Sequence, residues 1–129
     1  MSQTNELEIM ERIALDLERV EESLASSFNT GAEDFNALIR PLSAAGGKRL
    51  RAQLCLLIAN AGTSIERQRI KIAEAVEMLH LATLIHDDVL DQAEIRRGED
   101  TIHMHKGNKV AILSGDYLFA KAFKIVSEM

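Results

Sequence analysis

Apolar side chains recur at helical spacing along most of this 129-residue chain, and this periodicity constrains the fold more than any other feature. Residues three and four positions apart share one face of an α-helix, and the alternation typical of β-strands is absent. One proline and 7 glycines leave few turn residues for an all-β fold. The sequence therefore predicts an all-α chain that forms one domain or part of one.

Capping signals help to delimit the predicted helices. Thr30 with Glu33, and Thr63 with Glu66, have the spacing of capping boxes. The first helix is amphipathic, and its acidic outer face, which includes Asp16, is expected to be solvated. The expected helices span about 6–26, 30–42, 48–60, 64–91 and from 109 onward. The apolar stripes of the last three consist of Leu50, Leu54, Leu57, Ile58, Ile72, Val76, Leu79, Leu84, Val110, Leu113, Tyr117, Leu118, Ala122, Phe123 and Val126.

Composition excludes several classes of protein. The net charge of −5 argues against general binding of nucleic acid. No apolar run reaches the ~18 residues that a membrane-spanning helix needs, and acidic residues from Glu6 onward interrupt any signal peptide. Cys55 is the only cysteine, and its leucine and isoleucine neighbours indicate a buried, unreactive thiol. We therefore expect a cytoplasmic protein that does not span a membrane.

Three carboxylates, those of Asp87, Asp88 and Asp91, lie at the end of the long predicted helix. Asp87 and Asp91 are one turn apart on the same face, where like charges repel, and the helix dipole disfavours anions at a C-terminus. A solvated helix end is the simpler interpretation, but the poor electrostatics favour a bound cation. Mg²⁺ takes one or two carboxylates and completes its octahedron with water and phosphate oxygens. We therefore predict that Asp87 and Asp91 bind Mg²⁺, flanked by Asp88.

A glycine turn followed by three cations opens the third predicted helix. Glycines permit positive φ angles and close backbone approach, and free N–H groups at a helix N-terminus suit phosphate. Lys48 and Arg51 are three residues apart and can converge on one anion. A surface turn with solvated basic residues is the alternative.

A second basic cluster, Arg96-Arg97-Gly98, begins five residues after Asp91. Arginine forks suit the oxygens of a diphosphate better than lysine does. His80 lies two turns before Asp87 on nearly the same face, although taken alone it is better interpreted as a core histidine.

Together these motifs resemble the trans-isoprenyl diphosphate synthases, also called polyprenyl synthetases. In chain order, the motifs are Gly46-Gly47-Lys48-Arg49-Leu50-Arg51, His80, Leu84-Ile85-His86-Asp87-Asp88-Val89-Leu90-Asp91, Arg96-Arg97-Gly98 and Gly115-Asp116-Tyr117. The resemblance extends from about residue 30 to the end but covers only the N-terminal part of the usual family chain. It implies that residues 1–129 are the N-terminal part of one isoprenoid synthase domain, an incomplete antiparallel bundle of about five to six helices.

The resemblance also implies a role for each motif. Asp87 and Asp91, supported by Asp88, are similar to the first aspartate-rich motif, which binds Mg²⁺ bridged to the allylic diphosphate. Arg96 is similar to the arginine that touches the allylic diphosphate. The residues similar to the isopentenyl diphosphate pocket are Lys48, Arg51, His80 and Arg97. The resemblance implies a homodimer or, because the family's second aspartate-rich motif is absent, a heteromer with a chain that supplies that motif.

The implied activity is Mg²⁺-dependent condensation of isopentenyl diphosphate with an allylic diphosphate. In the family, residues just before the aspartates limit product length, and the small Ala82 and Thr83, with Met78 one turn further back, imply a medium or long product. On an ideal helix Thr83 shares the face of Asp87, whereas Ala82 points away, and plain helix packing is the alternative for both. A subunit or a non-catalytic diphosphate-binding fragment is the alternative function.

Two features depart from the family pattern. Ala52 stands where a proline usually follows the first basic motif. The segment 100–107, which contains His103 and His105, is also unusual, because the family more often has asparagine and an aromatic residue there. We interpret His103 and His105 as loop histidines rather than a metal pair, because structural metal sites need three or four ligands.

Overall fold

The structure is a computed structural model that describes residues 3–44, 47–96 and 98–129, so Gly46 and Arg97 of the predicted motifs lie outside it. Its helices are α1 (Gln3–Ser27), α2 (Glu33–Ala44), α3 (Leu50–Asn60), α4 (Glu66–Leu90), α5 (Ile102–Lys106) and α6 (Asn108–Ser127). A short antiparallel hairpin, β1 (Ile95–Arg96) and β2 (Glu99–Asp100), lies between α4 and α5. The all-α prediction is confirmed, and the hairpin corrects the expectation that the chain contains no strands.

Helix α4 is the central element, because α1, α3 and α6 all pack against it. Its small side chains Ala73, Ala75 and Ala82 are fully or almost fully buried, which lets neighbouring helices approach closely. Leu24, Leu56 and Leu118 supply the core from α1, α3 and α6 respectively. None of the described helices is both long enough and apolar enough to cross a bilayer.

The buried face of α4 differs from the predicted one. Ile72 is 42% exposed, and Val76, Leu79 and Leu84 are only partly buried. The buried face instead includes Glu74 and Glu77, which are 0% and 3% exposed. The predicted stripe was wrong because it counted apolar side chains alone, whereas these two carboxylates are buried together with hydrogen-bonding partners.

Two of the predicted apolar stripes face outward in this chain. On α3, Leu56 is buried, but the whole predicted stripe of Leu50, Leu54, Leu57 and Ile58 is exposed. On α6, Leu118 and Ala122 are buried, and the remaining members of the stripe are exposed: Val110, Leu113, Tyr117, Phe123 and Val126. Contiguous apolar faces of this kind mark surfaces that another polypeptide normally covers.

The predicted capping boxes do not form. Ile65 is the N-cap of α4 and makes no side-chain cap hydrogen bond. At the start of α2, the Thr30 hydroxyl accepts from the Ala32 N–H at 3.1 Å, and the Thr30 N–H donates to Asn36 rather than to Glu33. Asn36 is fully buried and therefore holds this turn from inside the fold.

Cys55 is half-buried on α3. Burial and the nearby charge of Glu77 raise the pKa of its thiol above the usual value. A raised pKa lowers the thiolate fraction, as expected for the unreactive thiol predicted from the sequence.

Asp16 corrects the expectation of a fully solvated acidic face on α1, because its side chain is buried. Arg69 of α4 donates to both of its carboxylate oxygens, at 2.7 and 3.1 Å, and Asn60 donates at 3.2 Å. Burial raises the pKa of Asp16, but hydrogen bonds from Arg69 and Asn60, with the charges of Arg69 and Arg19, outweigh it and lower that pKa overall. The pair fixes α1 against α4.

We expect Asp16→Asn to reduce stability at pH 7 by about 1.5 kcal/mol, the usual value for a hydrogen bond to a charged group. The folded-state pKa of Asp16 is lowered, so its stabilisation is fully present above the unfolded pKa of about 3.9 and is lost as pH falls through the folded value. The difference between wild type and variant should therefore shrink below about pH 4. Urea unfolding followed by circular dichroism at neutral and acidic pH measures it, with Glu18→Gln on exposed α1 surface as the control. A difference that does not depend on pH would contradict this account.

Candidate functional site

The three aspartates at the acidic end of α4 differ in their exposure to solvent. Asp87 and Asp91 are exposed, whereas Asp88 is 5% exposed. The Asp91 N–H donates to the Asp87 carbonyl at 2.8 Å, which keeps Asp91 in helical register as the C-cap. Asp87 and Asp91 are therefore one turn apart on the open side of the helix, as the spacing predicted.

Asp88 points inward and binds Arg96 of the hairpin. Arg96 Nε lies 2.8 and 3.0 Å from the two carboxylate oxygens, and Nη2 lies 2.7 Å from Oδ1. The hydrogen bond that Arg96 donates to Asp88 raises the pKa of Arg96 despite partial burial, and the charges of Asp88, Asp87 and Asp91 raise it further. The structure thus brings Arg96 to the predicted aspartates, but as the partner of Asp88, a role that the motif did not reveal.

We expect Arg96→Lys to destabilise the fold by about 1 kcal/mol, because lysine keeps the charge but loses the two-pronged hydrogen bonding to Asp88. The loss should appear as a lower midpoint of urea unfolding and as faster amide exchange across the hairpin. Arg12→Lys on the exposed surface of α1 is the matched control. Equal effects of the two substitutions would mean that the ion pair with Asp88 contributes nothing specific.

The turn that precedes and opens α3, residues 47–51, is called the basic turn here, and it contains both exposed and buried cations. Lys48 and Arg51 are exposed, while Arg49 between them is buried. Gly47 has a φ of 74°, a conformation that favours glycine, so the glycine turn inferred from the sequence is present at this residue. Lys48 and Arg51 are thus open to solvent at the start of α3, and their contact with a ligand stays a prediction.

His80, predicted as a site residue, and the two predicted loop histidines lie in different settings. His80 is half-buried on α4, and its carbonyl accepts a hydrogen bond from the Thr83 hydroxyl at 2.7 Å. His103 Nε2 lies 2.5 Å from the Ala93 carbonyl, which also accepts from Thr101 Oγ1 at 2.9 Å. His103 therefore braces the loop after α4, and the side chain of His105 lies outside the described part of the chain.

The residues predicted to set product length also differ in their exposure to solvent. Met78 and Ala82 are both 0% exposed in the packed core, whereas Thr83 is exposed. Thr83 lies one turn before Asp87 and so shares its open side. The helical geometry inferred from the sequence therefore holds for Thr83. Ala82 is packed in the core, as the alternative interpretation of this residue, plain helix packing, predicted.

His86 is a site residue to which sequence reasoning gave no role. Its Nε2 lies 3.0 Å from the Ile112 carbonyl and 3.3 Å from Asp116 Oδ1 of α6. Its ring also faces Gly115, where an added Cβ would come within 2.2 Å of Nε2. The available signal was the position of His86 beside Asp87 together with the Gly115-Asp116 motif, and the contact joins the acidic end of α4 to α6.

The described residues contain no group of three or more His, Cys, Asp or Glu side chains placed to hold a metal ion by themselves. Two exposed carboxylates one turn apart nevertheless suit a hard cation that takes its remaining oxygens from water and phosphate. The donor set of Asp87 and Asp91 therefore fits Mg²⁺ in the presence of a diphosphate, rather than a closed site made by protein alone.

Comparison with known proteins identifies the family. Residues 32–129 match the polyprenyl synthetase family. Nonaprenyl diphosphate synthase of Mycobacterium tuberculosis is 41% identical over 112 residues, which cover 86% of this chain and 33% of that protein. Heptaprenyl diphosphate synthase component 2 of Geobacillus stearothermophilus is 39% identical over 115 residues, which cover 88% of this chain and 36% of that protein.

A solved structure shares the fold. The polyprenyl synthase from Caulobacter crescentus, complexed with calcium and isoprenyl diphosphate, superimposes with a TM-score of 0.85 at 36% identity, covering 93% of this chain and 37% of that one. The fold and the acidic helix end define an isoprenoid synthase-type bundle, and the chain belongs to the polyprenyl synthetase family. It spans about a third of the length of these relatives.

Proposed function

We propose that this chain is the N-terminal part of a polyprenyl diphosphate synthase, a Mg²⁺-dependent prenyltransferase that condenses isopentenyl diphosphate with an allylic diphosphate. The observation that carries the proposal is the arrangement at the end of α4. Asp87 and Asp91 lie exposed on one side, and Asp88 holds the cationic Arg96 beside them. Two carboxylates for a metal and an arginine for phosphate oxygens are what an allylic diphosphate requires.

Each group has a role in the proposed reaction. Asp87 and Asp91 would hold Mg²⁺, which when bound would neutralise charge on the departing allylic diphosphate. The allylic C–O bond breaks, its electron pair leaves with the diphosphate, and Arg96 stabilises the negative charge that develops there. The double bond of isopentenyl diphosphate then bonds to the allylic carbon, and loss of a proton restores a double bond. No nucleophilic side chain is required.

The second substrate carries its own diphosphate and needs a separate cationic pocket. Lys48 and Arg51 are exposed at the start of α3, where the helix dipole also favours an anion. We assign isopentenyl diphosphate to this turn, with His80 and Arg97 as the further contacts that the family resemblance implies. Two separate cationic clusters allow both diphosphates to be held at once.

An alternative is that the chain is a subunit or diphosphate-binding fragment, active only with a partner that supplies a second carboxylate cluster. The exposed apolar faces of α3 and α6 support it, since Leu50, Ile58 and Phe123 are 64%, 66% and 65% exposed. One relative is named as component 2 of a heptaprenyl diphosphate synthase. A homodimer or a heteromer would each cover such faces.

One assay separates these possibilities. The pure chain is incubated with farnesyl diphosphate, labelled isopentenyl diphosphate and Mg²⁺, first alone and then with a polypeptide containing the remaining two thirds of a relative. We expect labelled, extended product only in the complemented reaction. Turnover by the chain alone would contradict the argument that its site is incomplete. Binding of the diphosphates without turnover in both reactions would favour the non-catalytic fragment.

We expect Thr83→Phe to shorten the product of the complemented enzyme by at least about one isoprene unit, because the ring would fill space on the side of α4 that Asp87 occupies. Thr83→Ser, which keeps the hydroxyl bonded to the His80 carbonyl, is the matched control and should leave product length unchanged. Chromatography of the dephosphorylated products measures length. Ala82→Phe is a poorer test because Ala82 is packed in the core. Identical products from both Thr83 variants would reject this placement.

A further inference from the structure

Arg49, the middle cation of the basic turn, is built into the fold rather than presented to a ligand. Its side chain is 9% exposed, whereas its neighbours Lys48 and Arg51 are exposed. Its backbone has φ 54° and ψ 42°, the left-handed region that side chains other than glycine rarely adopt. A non-glycine residue keeps such a conformation only where the surroundings enforce it.

Contacts with three helices hold Arg49 in this conformation. Arg49 Nε donates to Glu21 Oε1 of α1 at 2.5 Å, and Nη2 donates to the Ser43 carbonyl of α2 at 2.7 Å. Nη1 lies 3.7 Å from Glu77 Oε2 of α4. The guanidinium therefore ties the basic turn to α1, α2 and α4 together.

Glu77 makes a second contact that fixes the start of α3. Its Oε1 accepts from the Ala52 N–H at 2.9 Å, one of the first-turn donors that have no partner within the helix. A single buried carboxylate thus binds both the first turn of α3 and the cation that precedes it. Arg51 lies between these two anchored residues, and Lys48 directly precedes Arg49.

We infer that Glu77 and Glu21 are positioning residues that act through Arg49 to hold Lys48 and Arg51 in the orientation that receives a diphosphate. This inference rests on the proposed function. It assigns Arg49 no contact with substrate, although it lies inside the basic motif. It also gives α1, all of which lies before the residues matched to the family, a part in forming the site.

The test compares Glu77→Leu and Glu77→Gln with Glu74→Gln. Glu74 is a matched control because it is buried on the same helix one turn earlier, but it accepts from Ser23, Ser27 and Lys71 rather than from α3. Glutamine at position 77 keeps an acceptor for Ala52 and loses the charge that faces Arg49. Amide hydrogen exchange, isopentenyl diphosphate affinity and Mn²⁺ binding are measured on the 129-residue chain.

In Glu77→Leu we expect exchange at Ala52 and Gln53 to rise and isopentenyl diphosphate affinity to fall, each by at least about tenfold. Glu77→Gln should have a smaller effect, and Mn²⁺ binding should stay unchanged in both. Wild-type exchange in Glu77→Leu, or equal effects in Glu74→Gln, would overturn the inference. If even the wild type fails to bind isopentenyl diphosphate while Glu77→Leu still loosens Ala52, the proposed function fails and the positioning role stands.

Discussion

Replacing Asp87 or Asp91 with asparagine is expected to lower turnover of the complemented enzyme by at least about 100-fold, because each would remove a charged oxygen ligand of the Mg²⁺ that, in the proposed mechanism, stabilises the departing diphosphate. Asparagine is nearly the same size, and both aspartates are exposed, so the fold should be unaffected. The measurement is the initial rate of label incorporation at several Mg²⁺ concentrations. A partial recovery at high Mg²⁺ is expected, because weaker binding can be offset by mass action.

Asp34→Asn provides the control for this experiment. Asp34 is an exposed aspartate in the first turn of α2, so it reproduces the loss of one surface charge away from the end of α4. Its rate should match the wild type within about twofold, as surface charges away from a site contribute little. Turnover in Asp87→Asn and Asp91→Asn equal to that of Asp34→Asn would remove these residues from the metal site.

Gly115→Val is expected to destabilise the fold by about 3 kcal/mol, the upper end of the usual cost of overpacking a close helix contact. A Cβ on Gly115 would lie 2.2 Å from His86 Nε2 and 2.4 Å from Cδ2. The His86 ring would have to leave the Ile112 carbonyl and Asp116. Because His86 immediately precedes Asp87, we also expect the substitution to weaken Mg²⁺ binding. Urea unfolding followed at 222 nm measures the stability change.

Ala120→Val tests whether the loss comes from packing. Ala120 is exposed on the same helix, so this substitution reproduces the lower helix propensity of valine without the clash. It should cost no more than about 0.7 kcal/mol. If the two variants unfold at the same urea concentration, the close approach of α4 and α6 at Gly115 is not what stabilises this end of the bundle.

The helices were predictable because their apolar spacing is a local property of the sequence. The faces that they bury were predicted less well, and Glu74, Glu77 and Leu57 show why. The two glutamates are buried because partners on α1 and α3, at least 25 residues away in sequence, satisfy them. Leu57 belongs to a predicted apolar stripe that is exposed, in a chain that spans about a third of its relatives' length. Hydrophobic periodicity shows neither the partners of the glutamates nor which apolar face this chain covers.

For the candidate site, too, the sequence predicted the local helical geometry but not the contacts between distant residues. The spacing of Asp87 and Asp91 gave a shared face, which the helical register confirms. Which residue of each motif points into the fold, and which is exposed, was not predictable. Asp88 and Arg49 differ from their neighbours by pointing inward, and that depends on Arg96 and Glu77, whose contacts form only in the folded chain.

The central claim is the proposal that the acidic end of α4 holds one diphosphate with its metal and that the basic turn before α3 holds the second diphosphate nearby. Mn²⁺ is a paramagnetic substitute for Mg²⁺ with the same preference for oxygen ligands, and it broadens the amide NMR signals of nearby residues. With Mn²⁺ and inorganic pyrophosphate added to this chain, we predict broadening centred on residues 87–91 and extending to 47–51. That broadening should disappear in the Asp87→Asn, Asp91→Asn double variant. Broadening confined to the acidic surface of α1, or unchanged in the double variant, would contradict the claim.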